Sequence, residues 1–379
     1  MNKIIVLGAG MVGSAMAIDL ASQHEVTVSD MNSERLDFVS RKNAKIKTIS
    51  LNVTDHSALQ NAINNFDLVI CAVPGFLGFE TLKQIIIAGK NVVDISFFPE
   101  DALALNDLAK EKGVTAIVDC GVAPGMGNFI LGRYNAIMEL TDFECLVGGL
   151  PKVKKWPFCY KAPFSPIDVI EEYTRPARYV ENGNIVTHEA LTELEFMEFD
   201  NVGTLEAFNT DGLRSILFTM PHIKNRKEKT LRYPGHIEYI RMLKASGFFS
   251  TEKINISGVE CSPLEFTSKL LINEWKLGET EPELTVMRIS LSGKNKKGEQ
   301  EKIVYDLYDE YNPETQTSSM ARTTGYTATA AANMMLENLF IAKGVFPPEL
   351  IGHDEKCFSF IMNYLKERKV IYTKTSQIL

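Results

Sequence analysis

Gly8-Ala9-Gly10-Met11-Val12-Gly13 follows directly on a short apolar run and has the G-x-G-x-x-G spacing that suits a diphosphate. Gly8 allows a tight strand-to-helix turn, Gly10 lets the backbone approach a pyrophosphate, and Gly13 lets the helix lie against the strand. The N–H groups of Met11 and Val12, at the start of that helix, then face the diphosphate with the helix dipole behind them. A bare glycine pattern is weak. Here a helix bearing Ala15, Met16, Ile18 and Leu20 follows, and Asp30 closes the second strand where an acid meets an adenosine ribose. A carboxylate there accepts hydrogen bonds from a free 2′-hydroxyl and repels a 2′-phosphate, so NAD is expected ahead of NADP, with Arg35 nearby to complicate the choice. Asn52, Ala72, Val73, Pro74 and Ser96 fall at further strand ends, on the carboxyl edge where open α/β sheets bind ligands, and are expected cofactor contacts.

A second group would supply the chemistry. The run Asp119-Cys120-Gly121-Val122-Ala123-Pro124-Gly125-Met126 puts a carboxylate before a rigid turn, which places Asp119 near the reacting carbon and Gly121 beside the cofactor; the plain alternative is that Asp119 only caps the turn. Hydride transfer also needs a proton donor or acceptor, and Tyr160 with Lys161, Glu206 and His236 are the candidates. A lone histidine is more often a satisfied surface or core residue. Arg232, beside Tyr233, can hold a carboxylate through a guanidinium fork, although an isolated strand arginine is commonly a salt-bridge partner. None of the twelve tyrosines has lysine four residues on, which removes the Tyr-x-x-x-Lys reductase mechanism. The six cysteines show neither zinc-site pairing nor the density of a disulfide scaffold, so no metal is expected and reduced thiols are.

These residues need elements to position them. From Lys3 to about Asp119 short β-branched runs alternate with helical segments, predicting strands over 4–7, 26–29, 46–51, 68–72, 92–95 and 116–118. Leu103, Leu105 and Leu108 have helical spacing within 101–112, and Gly113 stands where a left-handed cap is wanted. Beyond Gly121 the pattern changes to strands with one wet face: Phe143, Cys145 and Val147 alternate with polar positions, as do Met287, Ile289 and Leu291. The turn from Gly293 to Gly298 and then Ile303, Tyr305 and Leu307 complete an antiparallel hairpin with lysines at its tip. An Ala-, Met- and Leu-rich helix is predicted over 328–342, stopped by Gly344-Val345-Phe346-Pro347-Pro348. The expected fold is α/β: a Rossmann doubly wound parallel sheet plus a second α+β domain on an open mixed sheet. The expected boundaries are 1–122 for the nucleotide domain, 123–317 for the substrate and dimerisation domain, and 318–379 for a closing segment.

Composition narrows the function. A chain of 379 residues with 45% hydrophobic and 23% charged residues has the material for two cores and a cleft between them. A formal charge of −8 with scattered basic residues disfavours a polyphosphate partner, so no nucleic acid is expected. No apolar run reaches the roughly 18 residues of a membrane span, and the start lacks a signal-peptide pattern, so a cytoplasmic location is expected. An exposed edge in the middle sheet would make a homodimer natural.

Taken together, the motifs resemble the saccharopine dehydrogenase family, including its lysine 6-dehydrogenase and carboxynorspermidine dehydrogenase relatives, over essentially the whole chain. The marks are the glycine loop, the Asp119 to Gly125 run, Val147-Gly148-Gly149-Leu150-Pro151, Tyr160-Lys161-Ala162-Pro163-Phe164-Ser165-Pro166, Gly203-Thr204-Leu205-Glu206-Ala207-Phe208, Leu231-Arg232-Tyr233-Pro234-Gly235-His236 and Met320-Ala321-Arg322-Thr323-Thr324-Gly325-Tyr326. The resemblance implies an NAD(P)-dependent enzyme acting on a CH–NH bond of a lysine-related amino acid, in which saccharopine yields glutamate and aminoadipate semialdehyde. It implies that the segment after the middle domain completes the nucleotide domain, with Asp119 beside the nicotinamide and Tyr160 and Arg232 at the substrate. The Gly121 to Met126 and Leu205 to Phe208 segments look more like the lysine dehydrogenase branch, which releases ammonia. Gly148 to Pro151 and Ser165-Pro166 look more like the glutamate-forming branch, whose common NADP use sits awkwardly with Asp30. A non-catalytic sensor of the NAD(H) ratio is the rival from another class.

Overall fold

A computed structural model of the chain describes residues 1–162, 166–278 and 280–379; Pro163, Phe164 and Ser165 of the Tyr160 to Pro166 motif lie outside the described residues. The first layer is built from β1 (Lys3–Leu7), β2 (Glu25–Asp30), β3 (Lys47–Ser50), β4 (Leu68–Cys71), β5 (Val92–Asp94) and β6 (Thr115–Ile117), all parallel and within a residue or so of the sequence expectation. Helices α1 (Met11–Leu20) and α2 (Ser33–Lys42) cover one face, and α3 (His56–Ile63), α4 (Gly75–Ile87) and α5 (Asn106–Glu111) cover the other. Burial on both faces is why β1 reads as the unbroken apolar run Ile4-Ile5-Val6-Leu7. Ile4 and Val6 enter one core and Ile5 and Leu7 the other, as the two-residue period of a strand requires. The strand order β3-β2-β1-β4-β5-β6 reverses between β1 and β4, and ligands of such sheets bind at the carboxyl ends flanking that reversal.

After α6 (Met126–Asn135) the chain builds the second layer. Its strands are β7 (Glu139–Pro151), β8 (Ala177–Glu181), β9 (Asn184–His188), β10 (Glu195–Phe199), β11 (Gly203–Asn209) and β12 (Asn225–Arg232), then a separate hairpin of β13 (Ile254–Ile256) and β14 (Val259–Cys261), then β15 (Glu283–Lys294) and β16 (Gln300–Glu310). Helices α7 (Pro166–Thr174), α8 (Ile216–Thr219), α9 (His236–Ala245) and α10 (Pro263–Trp275) interrupt them. The sheet is mixed, because β12 runs parallel to β7 while β15 pairs with β7 and β16 antiparallel. The β15–β16 hairpin turns where expected, with Lys296 and Lys297 at an exposed tip.

The closing segment differs from expectation in two ways. Helix α11 (Ser319–Leu336) starts at Ser319 rather than Ala328 and stops at Leu336 rather than Ala342. Its first half is rich in threonine, which reads poorly as helix. Here the Thr323 and Thr327 hydroxyls bond back to the carbonyls of Ser319 and Thr323, and the Ser318 hydroxyl caps the helix by accepting the Ala321 N–H. The second difference is that 318–379 does not return as a whole to the first layer. Strand β17 (Gly344–Phe346), where the sequence predicts only the stop of a helix, joins β6 as a seventh parallel strand. After α12 (Pro348–Gly352) and α13 (Glu355–Glu367), β18 (Tyr372–Ile378) pairs antiparallel with β16 and covers what would otherwise be an open edge. Asp19 at the end of α1 ties the returning helices down, accepting hydrogen bonds from the Thr329 hydroxyl at 2.6 Å, the Tyr364 hydroxyl at 2.7 Å and Arg368 Nε at 2.7 Å.

Candidate active site

The glycine loop between β1 and α1 is a backbone cradle. Gly8 adopts φ +110°, and a Cβ on it would lie 2.4 Å from the Ala72 carbonyl oxygen after β4. A Cβ on Gly13 would lie 2.0 Å from the Gly8 carbonyl oxygen. Both positions therefore demand glycine, and the close approach brings the start of α1 to the reversal point of the sheet. Gly10 precedes the helix without any side-chain cap, so the leading N–H groups at Met11 and Val12 point toward the cleft as an anion site. Asp30 is fixed at the rim, its Oδ2 accepting the Ala9 N–H at 2.7 Å and its Oδ1 the Asn32 N–H at 2.8 Å. Arg35 lies across the loop, with Nη1 3.3 Å from where a Cβ on Gly10 would be.

Ala72, Val73, Pro74 and Gly121 line the same cleft. Asn52 and Ser96 do not. The Asn52 side chain turns back to accept the N–H and hydroxyl of Thr54, and Ser96 is buried against Asp94, to which it donates both its N–H and its hydroxyl. In each case a polar residue just past a strand is used up by its own turn.

The cleft opens into a cavity of about 1360 Å³ between the two layers. That exceeds the roughly 300–1,000 Å³ that suits a drug-sized ligand, leaving room for a dinucleotide and a second small molecule. The far wall is β12, whose alternate residues Glu228, Thr230 and Arg232 face the cavity. Arg232 is almost wholly enclosed. Its Nε donates to the Tyr173 hydroxyl at 3.1 Å, Nη1 to the Leu231 carbonyl at 3.0 Å, and Nη2 to the Tyr160 hydroxyl at 3.3 Å and to Glu172 at 2.8 Å. Most donors of the expected carboxylate anchor are thus committed within the protein.

Three other expected roles are corrected. Tyr160 and His236 stand behind Arg232 in an aromatic cluster with Tyr173 and Trp275, not in the cavity wall. His236 Nδ1 contacts the Phe158 carbonyl at 2.9 Å and Nε2 the Tyr173 hydroxyl at 2.9 Å. Burial, with Arg232 adding to it, pushes its imidazole down to about 3, so it is a neutral core residue and not a proton carrier. Glu206 accepts the Gly235 N–H at 3.3 Å and serves the start of α9, outside the cavity lining. Each of these polar groups is satisfied by packing that its neighbours in sequence do not reveal.

Asp119 does line the cavity, at φ +53°, but it is not free. Its Oδ1 accepts Arg214 Nε at 2.8 Å. The same guanidinium donates through Nη1 to the Phe98 carbonyl at 2.6 Å and lies 4.8 Å from the Phe97 ring. Asp211 is similarly held by Arg178, Glu171 by Arg175, and Glu172 by Arg232. Glu228 differs: it is 7% exposed, faces the cavity, and among the described residues makes no side-chain hydrogen bond or ion pair. Burial, reinforced by the neighbouring Glu172 and Asp211, pushes its carboxyl up to about 8. Sequence reading missed Glu228, Asp211, Arg214 and Glu172; the two-residue period of Glu228, Thr230 and Arg232 was the available signal. It also missed the loop at 312–318, which crosses to α2 through a 2.5 Å contact from Lys42 Nζ to Gln316 and closes the end of the cleft beside α2. No group of three or more His, Cys, Asp or Glu that could hold a metal occurs among the described residues.

Comparison with known proteins places this geometry. A family model described as the saccharopine dehydrogenase NADP binding domain matches residues 4–117, and one described as the saccharopine dehydrogenase C-terminal domain matches 121–371. The chain is 23% identical to the mitochondrial alpha-aminoadipic semialdehyde synthase of Mus musculus, over all of this chain but 48% of that protein, so it spans about half the length of that relative. It is 22% identical to the carboxyaminopropylagmatine dehydrogenase of Synechocystis, over 93% of this chain and 94% of that one. In fold it matches apo saccharopine dehydrogenase (L-Glu forming) from Saccharomyces cerevisiae with a TM-score of 0.81 at 20% identity, over the whole of both chains.

Proposed function

For a chain that thus belongs to the saccharopine dehydrogenase family, we propose an NAD(P)-dependent oxidoreductase acting on the CH–NH bond of a lysine-related amino acid. The observation that carries this reading is a single one: the glycine cradle and the polar face of β12 open into the same cavity. A nicotinamide dinucleotide fits the first wall, held by the N–H groups at the start of α1, with Asp30 at its ribose and Ala72 to Pro74 along its length. Bound there, it supplies a hydride acceptor or donor. The chain's own residues bind the amino acid against β12, and Asp119 with Arg214 forms a fixed, buried polar pair between the two walls.

The first substrate reading is saccharopine, split to glutamate and aminoadipate semialdehyde. A second, L-lysine oxidised at its side-chain amine with release of ammonia, is favoured by the commitment of Arg232 to Tyr160, Tyr173 and Glu172, which leaves it little capacity for an additional carboxylate. For the dinucleotide, Asp30 argues for NAD, whereas the match to an NADP binding domain and the position of Arg35 argue for NADP.

The deciding experiment follows nicotinamide absorbance when the protein meets saccharopine or L-lysine with NAD or NADP, with products identified by mass spectrometry. Reduction with release of glutamate supports the first substrate, and reduction with lysine alone the second. Tight dinucleotide binding with no turnover of any pair would favour the sensor reading.

A further inference from the structure

We infer that Glu228 is the carboxylate that receives the substrate's amine nitrogen, so that the substrate class is one bringing a protonated amine against β12; this rests on the C–N oxidoreductase reading above.

Of the other carboxylates lining the cavity, Asp30, Glu34 and Asp37 belong to the β2 and α2 side, whereas Asp119, Glu171, Glu172 and Asp211, away from it, each have an arginine partner. Glu228 is buried in the same wall with none among the described residues, so without a cation its carboxyl is held in the protonated form, and an arriving cation favours the ionised one. A ligand ammonium completes the balance.

The backbone makes room for this carboxyl specifically. A methyl on Gly212 would sit 1.7 Å from Glu228 Oε1, 2.1 Å from Cδ and 2.6 Å from Oε2. Gly212 does not have the positive φ that would otherwise call for glycine, so the carboxyl group is what its missing side chain accommodates. Gly212 is also pinned on both sides, by Asp211 to Arg178 and by Arg214 to Asp119. The charged and titratable groups around Glu228 are Glu172 from α7, Asp211 and Arg214 after β11, Asp119 after β6, Tyr179 on β8 and Cys145 on β7. Burial, and after it the acids among them, hold the Glu228 carboxyl up and Arg214 opposes them, so the group is placed to exchange a proton near neutral pH.

In the oxidative direction the ammonium N–H bond breaks as a Glu228 O–H bond forms. The nitrogen lone pair then makes a C=N bond while the adjacent C–H bond breaks, its hydride passing to an oxidised nicotinamide dinucleotide. Water adds to that carbon, both of its protons pass to the nitrogen as the C–N bond breaks and a C=O bond forms, the amine leaves as an ammonium, and the proton on Glu228 passes to solvent.

The test uses the full chain and Glu228→Gln, with folding checked by thermal melting. Saccharopine and L-lysine are assayed with both dinucleotides from pH 6 to 10, and binding of 1,5-diaminopentane to the protein–NADH complex is measured by calorimetry. Expected are NADH affinity within twofold of wild type, kcat lowered at least ~100-fold, diaminopentane bound at least tenfold more weakly, and loss of the wild-type rise of kcat/KM toward about pH 8. Gly212→Ala, which displaces the carboxyl without altering its chemistry, should lower kcat in the same direction. Wild-type turnover with unchanged kcat and pH profile in Glu228→Gln would overturn the inference and leave the C–N reading standing. No turnover by the wild type would remove the C–N reading, and the calorimetry then decides alone: weaker diaminopentane binding in the variant supports an amine site at Glu228, while equal or absent binding overturns it.

Discussion

The two walls of the cavity are made of different materials. The nucleotide wall is backbone: a turn, two glycines that admit no Cβ, and the N–H groups opening a helix, all within Gly8 to Gly13. The β12 wall is side chain: carboxylates and guanidiniums contributed by α7, β8, β12 and the segments after β6 and β11. A backbone site is specified over a few consecutive residues and tolerates change in everything but shape. A side-chain site is specified by partners far apart in sequence, so its weakness is the charge left behind when one partner goes.

The largest expected effect tests that weakness. Arg214→Met should destabilise the protein by about 3–5 kcal/mol, because Asp119 stays buried without its partner. Adding Asp119→Asn should restore much of the loss. Chemical denaturation of the two single variants and the double variant measures the coupling, and strictly additive losses would mean that the pair is not the unit drawn here. On the other wall, Gly13→Ala forces a methyl against a carbonyl oxygen that cannot move alone. At about 1–3 kcal/mol for overpacking, NADH affinity should fall about 10- to 100-fold in a fluorescence titration. Unchanged affinity would break the contrast, since the cradle would then have slack.

This contrast also explains what could be read from sequence. The parallel strands and the glycine loop were legible because continuous apolar runs and glycine spacing are local consequences of burial on both faces and of a tight turn. The β15–β16 hairpin was legible from its alternation for the same reason. The role of Asp119 was only half legible: its place at a strand end follows from the motif, but Arg214 lies nearly a hundred residues on, and no local pattern announces the pairing. His236, Glu206 and Tyr160 carry suggestive chemistry in sequence, yet tertiary neighbours use up each one. Glu228 was overlooked because an acid between two lysines reads as a solvated strand, whereas Lys229 is itself buried on the opposite face against Glu195.

The burial of His236 gives a smaller effect with a definite sign. Its folded-state value lies near 3, below the ordinary histidine value of about 6.5, so the unfolded chain takes up a proton that the folded one does not. The associated stability is complete above about pH 6.5 and is lost as pH falls toward 3, by up to about 1.4 kcal/mol per pH unit. In His236→Asn the level of stability will fall, but the dependence between pH 6.5 and 4 should flatten, and that slope is the readout from denaturation at several pH values. An unchanged slope would assign the wild-type acid sensitivity to other groups.

The smallest expected change returns to the nucleotide wall, at the one place where it uses a charged side chain. Asp30 has two separable tasks: its oxygens hold the Ala9 and Asn32 N–H groups, and its charge opposes a 2′-phosphate. Asp30→Asn keeps the shape and one acceptor while removing the charge, so NADP affinity should rise about tenfold, close to 1.4 kcal/mol. NAD affinity should change less, since only part of the loop's anchoring is lost. Titrating both dinucleotides separates the tasks. Divergence places ribose discrimination in the side chain, beside a phosphate site made of backbone. Parallel loss of both would mean that Asp30 serves the loop alone, leaving Arg35, which already lies across Gly10, to set the preference.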